Sequence, residues 1–340
     1  MQFDWKRIPP GVAPIATIDA HAAGEPLRIV TSELPDIQGQ TMLERRNWFR
    51  ENLDWVRRAI MHEPRGHRDM YGCVVTPPVT PETDLGVLFM HNEGYSTMCG
   101  HGIIALVATL LETGTIESTD LAIDTPAGLV RATADVCDGR VRSVSFLNVP
   151  SFVYQRDVEV TVKQLGTVTL DIAFGGAFYA VLAVSQWNQQ LDLSRVSQLV
   201  ANAEEIKRAI NETIKIQHPI DDDLGFLYGV ILTGPPENAE HHSRNLCVFA
   251  NAEVDRSPTG TGVSARLAIH HAKGEIQPGE SIQIESILGE ESVFEGRVAE
   301  LTTIGPFDAV VPEISGRAFV TGHSEFVVHP DDALGQGFLL

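Results

Sequence analysis

The chain has 340 residues but no apolar run of membrane-spanning length, little cysteine, and far less base than acid. Without such a run there is no candidate for a transmembrane helix, and no membrane partner is expected. The four cysteines, Cys73, Cys99, Cys137 and Cys247, show no C-x-x-C spacing, which predicts reduced thiols rather than a disulfide frame. With 25 Lys and Arg against 45 Asp and Glu, a net charge of −20, the chain cannot neutralise a phosphate backbone, so nucleic acid is excluded as a partner. Small anions remain open, because they respond to the field of a site rather than to the total charge. The opening Met1-Gln2-Phe3-Asp4-Trp5-Lys6 lacks the basic-then-apolar order of a secretory signal, which predicts a cytoplasmic protein. A composition 43% hydrophobic and 21% charged is ordinary for a globular protein, and the length suits two domains.

The chain does contain a long-range repeat. Met98-Cys99-Gly100-His101-Gly102 recurs 160 residues later as Pro258-Thr259-Gly260-Thr261-Gly262. Ala105, Ala108 and Gly114 keep the same phase as Ala265, Ala268 and Gly274, and Ile123-Asp124 and Gly128 match Ile284-Glu285 and Gly289. A chance G-x-G match would not stay in register, so the pattern indicates an internal duplication. Each copy reads as a tight turn opening a helix that runs to a glycine stop. A helix N-terminus offers unpaired N–H groups and a positive dipole end, which attract an anion and lower the pKa of a cysteine placed there. Two such ends facing each other would hold a carboxylate, with Cys99 poised as a thiolate base.

Around these turns the elements fall in parallel order. Ile15–Val30 reads as two strands about a glycine and proline turn. Thr41 and Glu44 form a capping-box signal, and Phe49, Leu53, Val56 and Ile60 recur at helical spacing, predicting one helix that ends before Pro64. Strands follow near 72–75 and 86–91, then at 121–124, 129–134 and 141–147. The helix after Gly102 is apolar nearly all round, so it belongs inside its domain with a sheet wrapped about it. The second unit repeats strand, turn and strand from Thr167, an outer helix carrying Val196, Leu199, Ala203, Ile206 and Ile210, and strands at 229–232 and 246–249. Residues 150–163 read as a linker. The expected units are 1–160, carrying Cys99, and 161–321, carrying Thr259, with 322–340 returning to complete the first.

Other readings of these residues are weaker. Both repeats fit G-x-G-x-x-A, but a dinucleotide fingerprint needs a strand ending directly before the first glycine, and the polar elbow Asp255-Arg256-Ser257-Pro258 intervenes. Cys99-Gly100-His101, His241-His242, His270-His271 and His62-Glu63 with His67 all miss metal-ligand spacings, so no metal is expected. Cys73, Cys137 and Cys247 sit in or beside apolar strands and read as small buried hydrophobes. Asp255 reads either as an Asx cap of its elbow or as the partner of a substrate ammonium.

With Thr17-Ile18-Asp19-Ala20-His21, Gly24-Glu25-Pro26 and Thr125-Pro126-Ala127-Gly128 added to the two glycine turns and the Asp255 elbow, the chain resembles the proline racemase family over nearly its whole length. The resemblance implies an α/β (α+β), diaminopimelate-epimerase-like fold: two pseudo-symmetric domains, each a curved sheet around a central helix, with the site between them. It also implies cofactor-independent chemistry on an imino acid, in a homodimer. Family racemases and epimerases carry a cysteine in both copies, whereas Thr259 fills the second position here. That pattern is similar to the family's trans-3-hydroxy-L-proline dehydratases. It implies Cys99 as the catalytic α-proton acceptor, the N–H groups of Gly100, His101, Gly260 and Thr261 as the carboxylate cradle, and Asp255 and His101 as the groups that orient the ring nitrogen beside Thr259.

Overall fold

The structure, a computed structural model, describes residues 14–340, so the opening Met1–Lys6 stretch lies outside the described residues. Among the described residues five α-helices stand with eighteen strands: α1 (Met42–Asn52), α2 (Asp54–Met61), α3 (Gly100–Glu112), α4 (Val196–Thr213) and α5 (Gly260–Ala272). No helix among the described residues is long and apolar enough to cross a membrane.

The strands pair in one sequence, used twice. Pro14–Ala22 pairs antiparallel with Glu25–Val30, which lies parallel to Tyr71–Thr76, and that strand runs antiparallel to Leu85–His91. Leu85–His91 touches Asp120–Thr125 in parallel, and antiparallel hairpins then lead through Gly128–Cys137 to Arg140–Leu147. The later copy is Gly166–Phe174, Phe178–Ala183, Leu227–Gly234, Ser243–Phe249, Ser281–Ser286, Gly289–Ile304 and Phe307–Gly316, with the same alternation of antiparallel and parallel neighbours. Each set is completed by a strand from elsewhere in the chain. Ala318–Val327 pairs with Pro14–Ala22, and Ser151–Val162 pairs with Gly166–Phe174. The segment expected to be a linker is therefore a twelve-residue strand. Its exposed stretch carries polar residues such as Gln155, Arg156 and Glu159, and these mask its alternation from a reader of sequence alone.

Two acids at matching positions tie down matching loops. Asp124 accepts from the N–H groups of Val79 and Thr80 and from the hydroxyls of Thr80 and Thr83. Glu285 accepts from the N–H groups of Glu237 and Asn238 and bonds His241 at 2.8 Å. These bonds hold both carboxyls below the usual carboxylate range.

The capping box at Thr41 and Glu44 forms with both bonds in place. The single helix expected after it breaks at Leu53, whose φ of −127° leaves helical space, so α1 and α2 are separate. Asp54 then opens α2 and pairs with Arg57 at 2.7 Å, a local charge pattern that competes with continuation of α1. The core of both sheets is continuous around α3 and α5, whose residues Gly100–Thr109 and Gly260–Ile269 are all buried. α4 covers a second cluster and α1 with α2 a third. Cys73 and Cys247 are buried as expected, but Cys137 is exposed, because it ends the outer strand Gly128–Cys137 at the hairpin turn.

Candidate active site

The first turns of α3 and α5 meet head to head. A Cβ built on Gly100 would lie 2.5 Å from the Cα of Gly260, and one on Gly260 would lie 2.6 Å from the Cα of Gly100, so only glycine permits the approach. A Cβ on Gly102 would meet Phe89 at 2.5 Å, and one on Gly262 would meet Ile231 at 2.5 Å. The paired glycines thus seat each helix on its sheet and bring two sets of free N–H groups together.

Cys99, His101, Asp255, Thr259 and Thr261, with Gly100 and Gly260, line one enclosed space of about 20 Å³ between these ends. That is room for about one water, less than a five-membered ring needs. Cys99 caps α3: its Sγ accepts from the Gly102 N–H at 3.2 Å and lies 3.2 Å from His101 Nδ1. Asp255 Oδ1 accepts from the Ser257 N–H at 2.7 Å. The residue therefore caps its elbow and faces the cleft at once, and a carboxylate has further lone pairs to offer a ligand.

Thr259 differs from Cys99 in backbone conformation and in hydrogen bonding. Its φ is 68°, it makes no side-chain cap, and its buried Oγ1 has no hydrogen-bond partner. Cys247 lies on the strand Ser243–Phe249, opposite Asp255 in the ladder, and does not line the cleft.

Electrostatics correct one expectation. A thiol at a helix start was expected to ionise readily, yet burial pushes Cys99 well above the ordinary cysteine value, with the Asp255 charge adding to the rise. The Gly102 N–H and the Tyr71 hydroxyl oppose the shift without cancelling it. The dipole of one helix end does not repay full desolvation in an enclosed site. Burial also lowers His101, which favours the neutral imidazole.

Several residues of the site carried no signal in the sequence. Tyr71, Tyr179, Tyr228 and Phe249 line the same space, but each reads as an ordinary residue of a strand. Glu25, from the Gly24-Glu25-Pro26 turn, is fully buried and accepts from the Arg256 N–H at 2.6 Å, which joins two distant motifs across the cleft. Burial first, and Asp255 second, raise the Glu25 carboxyl well above the carboxylate range. The histidines outside the site are engaged elsewhere: His62 with the Asn92 carbonyl, His241 with Glu285 and His270 with Glu275.

The proline racemase model matches residues 17–339. The chain belongs to the proline racemase family. It is 48% identical to a trans-3-hydroxy-L-proline dehydratase of Bacillus cereus over 95% of this chain and 97% of that one. It is 43% identical to a proline racemase of Clostridioides difficile over 96% and 98% of the two chains. The crystal structure of a hydroxyproline epimerase from Agrobacterium vitis, with trans-4-hydroxy-L-proline bound, superposes with a TM-score of 0.89 at 31% identity, covering 96% of this chain and 95% of that one. The architecture is accordingly the diaminopimelate-epimerase-like α/β arrangement.

Proposed function

We infer that this family member is a hydro-lyase that dehydrates trans-3-hydroxy-L-proline to Δ1-pyrroline-2-carboxylate. Relatives named for that dehydration and for proline racemisation are similarly close, at 48% and 43% identity. Further relatives named for the dehydration, at 45–47% identity, support the dehydratase reading. The observation that carries the reading is Thr259, a hydroxyl where a two-base racemase needs a second thiol. An alcohol is too weak an acid–base group near neutral pH to exchange an α-proton as a thiol does.

In trans-3-hydroxy-L-proline the hydroxyl is trans to the carboxylate, so the C2 hydrogen and the leaving hydroxyl share a ring face. One acid–base face is then enough. Cys99 takes the α-proton as thiolate; the free N–H groups of Gly100, His101, Gly260 and Thr261 hold the carboxylate and the negative charge that develops on it. Asp255 and His101 orient the ring nitrogen. The C–H electron pair becomes the C2–C3 π bond, the C3–O bond breaks, and the enamine tautomerises to the cyclic imine. The substrate ammonium offsets the Asp255 charge that now disfavours the Cys99 thiolate, so substrate binding itself promotes ionisation of the base.

We also propose a cytoplasmic homodimer, as the resemblance implies, whose chain divides into two units with breaks that follow the strands rather than falling at 160/161 and 321/322: the first carries Cys99 and is completed by Ala318–Val327, the second carries Thr259 and includes Ser151–Val162. The matching order of strand pairing supports the division. The reaction reading is tested by incubating the protein with trans-3-hydroxy-L-proline and following the pyrroline product, with trans-4-hydroxy-L-proline as control. Product from the first and no C2 inversion of the second are expected. C2 inversion without pyrroline would make the protein an epimerase.

A further inference from the structure

Three tyrosine hydroxyls surround the cleft in different settings. Tyr179 bonds Thr261 Oγ1 at 2.7 Å, on the Thr259 side. Tyr71 stands on the Cys99 side, with its ring edge-on to His101 at 4.8 Å. Its hydroxyl bonds Ser96 Oγ, which in turn lies 2.6 Å from the Tyr228 hydroxyl. Tyr71, Ser96 and Tyr228 are all buried, and the chain of hydroxyls crosses from the first set of strands to the second. Each hydroxyl has one proton and can accept another, so all three O–H bonds can align toward the cleft.

The leaving hydroxyl needs a proton on the face where Cys99 works. Tyr71 and His101 are the protic side chains beside Cys99 there; His101 Nδ1 is turned to the Cys99 sulfur at 3.2 Å, whereas the Tyr71 hydroxyl ends the Ser96–Tyr228 hydroxyl chain. We propose that Tyr71 is the catalytic acid that protonates the departing 3-hydroxyl, with Ser96 and Tyr228 as the positioning chain behind it. The proposal rests on the dehydratase reading. The C2 proton passes to Cys99 sulfur as the C3–O bond breaks, and the leaving oxygen takes the Tyr71 proton to depart as water. The Tyr71 phenolate then recovers a proton from the adjacent Cys99 thiol, ordinarily the stronger acid of the two. Both groups return to their starting states, and the sum is substrate to enamine plus water.

The test compares two leaving groups on one ring. trans-3-Hydroxy-L-proline loses an oxygen that must be protonated, whereas trans-3-fluoro-L-proline, of the same geometry, releases fluoride, a weak base that needs no proton. Tyr71→Phe keeps the ring and its stacking on His91 but removes the proton. Pyrroline formation from the hydroxy substrate should fall about 10²- to 10⁴-fold, while fluoride release falls less than about threefold. Ser96→Ala, which leaves the Tyr71 proton in place, should show the same selectivity with a smaller loss. Equal loss on both substrates would assign Tyr71 to support of Cys99 or of the fold, and wild-type dehydration by Tyr71→Phe would put the acid elsewhere; either result overturns the proposal. Wild-type protein that releases fluoride but forms no pyrroline from the hydroxy substrate would overturn the dehydratase reading, and this proposal with it.

Discussion

The two helix starts that face each other across the cleft share their glycines and their position in the strand order, yet their first residues are built differently. Cys99 sits at φ −145° in extended space and caps α3 through sulfur. Thr259 sits at φ 68°, where a β-branched residue is strained, and its hydroxyl is left unpaired. On the proposed reading, the backbone symmetry builds a cradle from two N-termini and the side chains make the acid–base chemistry one-sided. A duplicated fold can keep its binding half symmetric while only one copy retains a proton-transfer group.

The sharpest way to break that asymmetry is to remove its reactive side. Cys99→Ser should lower kcat for pyrroline formation by about 10²- to 10⁴-fold, the usual contribution of a positioned acid–base group, with the thermal midpoint little changed. Near wild-type turnover would take Cys99 out of the mechanism.

Asp255 probes the charge between the two sides. Asp255→Asn removes a charge-assisted contact to the substrate ammonium worth about 1.5–3 kcal/mol, so KM should rise roughly 10- to 150-fold. The same change has an opposite effect on the thiol. Because the Asp255 carboxylate adds to the rise in the Cys99 pKa, Asn should let the thiolate form at lower pH. Wild-type kcat/KM should climb as pH rises into the alkaline range, where the free enzyme's thiol ionises. Cys99 alkylation, followed by peptide mass spectrometry across pH, should shift downward in Asp255→Asn. An unshifted profile would separate the two residues electrostatically.

The smaller effects concern Thr259. Thr259→Cys should add a proton donor on the second face and give a detectable gain of C2 inversion of trans-4-hydroxy-L-proline, limited by how well the new thiol is placed. Cys99→Ser/Thr259→Cys should show none, and inversion by the double variant would point to an unassigned base. Thr259→Gly relieves the positive φ and should stabilise the fold by about 1 kcal/mol, read from the urea midpoint. A loss of stability would mean that the threonine side chain earns its strained position through packing.

Much of the cradle was legible because its cause is local. The paired glycines, the capping box at Thr41 and the apolar run after Gly102 express constraints that act within a few residues. The break at Leu53 and the strand Ser151–Val162 escaped notice for other reasons: one depends on which of two competing helix starts wins, and the other pairs mainly with the neighbouring Gly166–Phe174 through a stretch whose exposed Gln155, Arg156 and Glu159 hide its alternation. The cleft tyrosines were invisible, since their recruitment depends on how strands from both halves converge.

The sequence by itself determined the duplication, the two helix ends and the single thiol between them, because spacing and residue type carry those directly. Only the tertiary structure decided that Cys99 is a buried, reluctant acid rather than a ready thiolate. It also decided that Glu25 reaches Arg256, and that Tyr71 stands on the face of Cys99. Those properties arise from desolvation and from contacts between segments far apart in the chain, and neither quantity exists until the two halves close on each other.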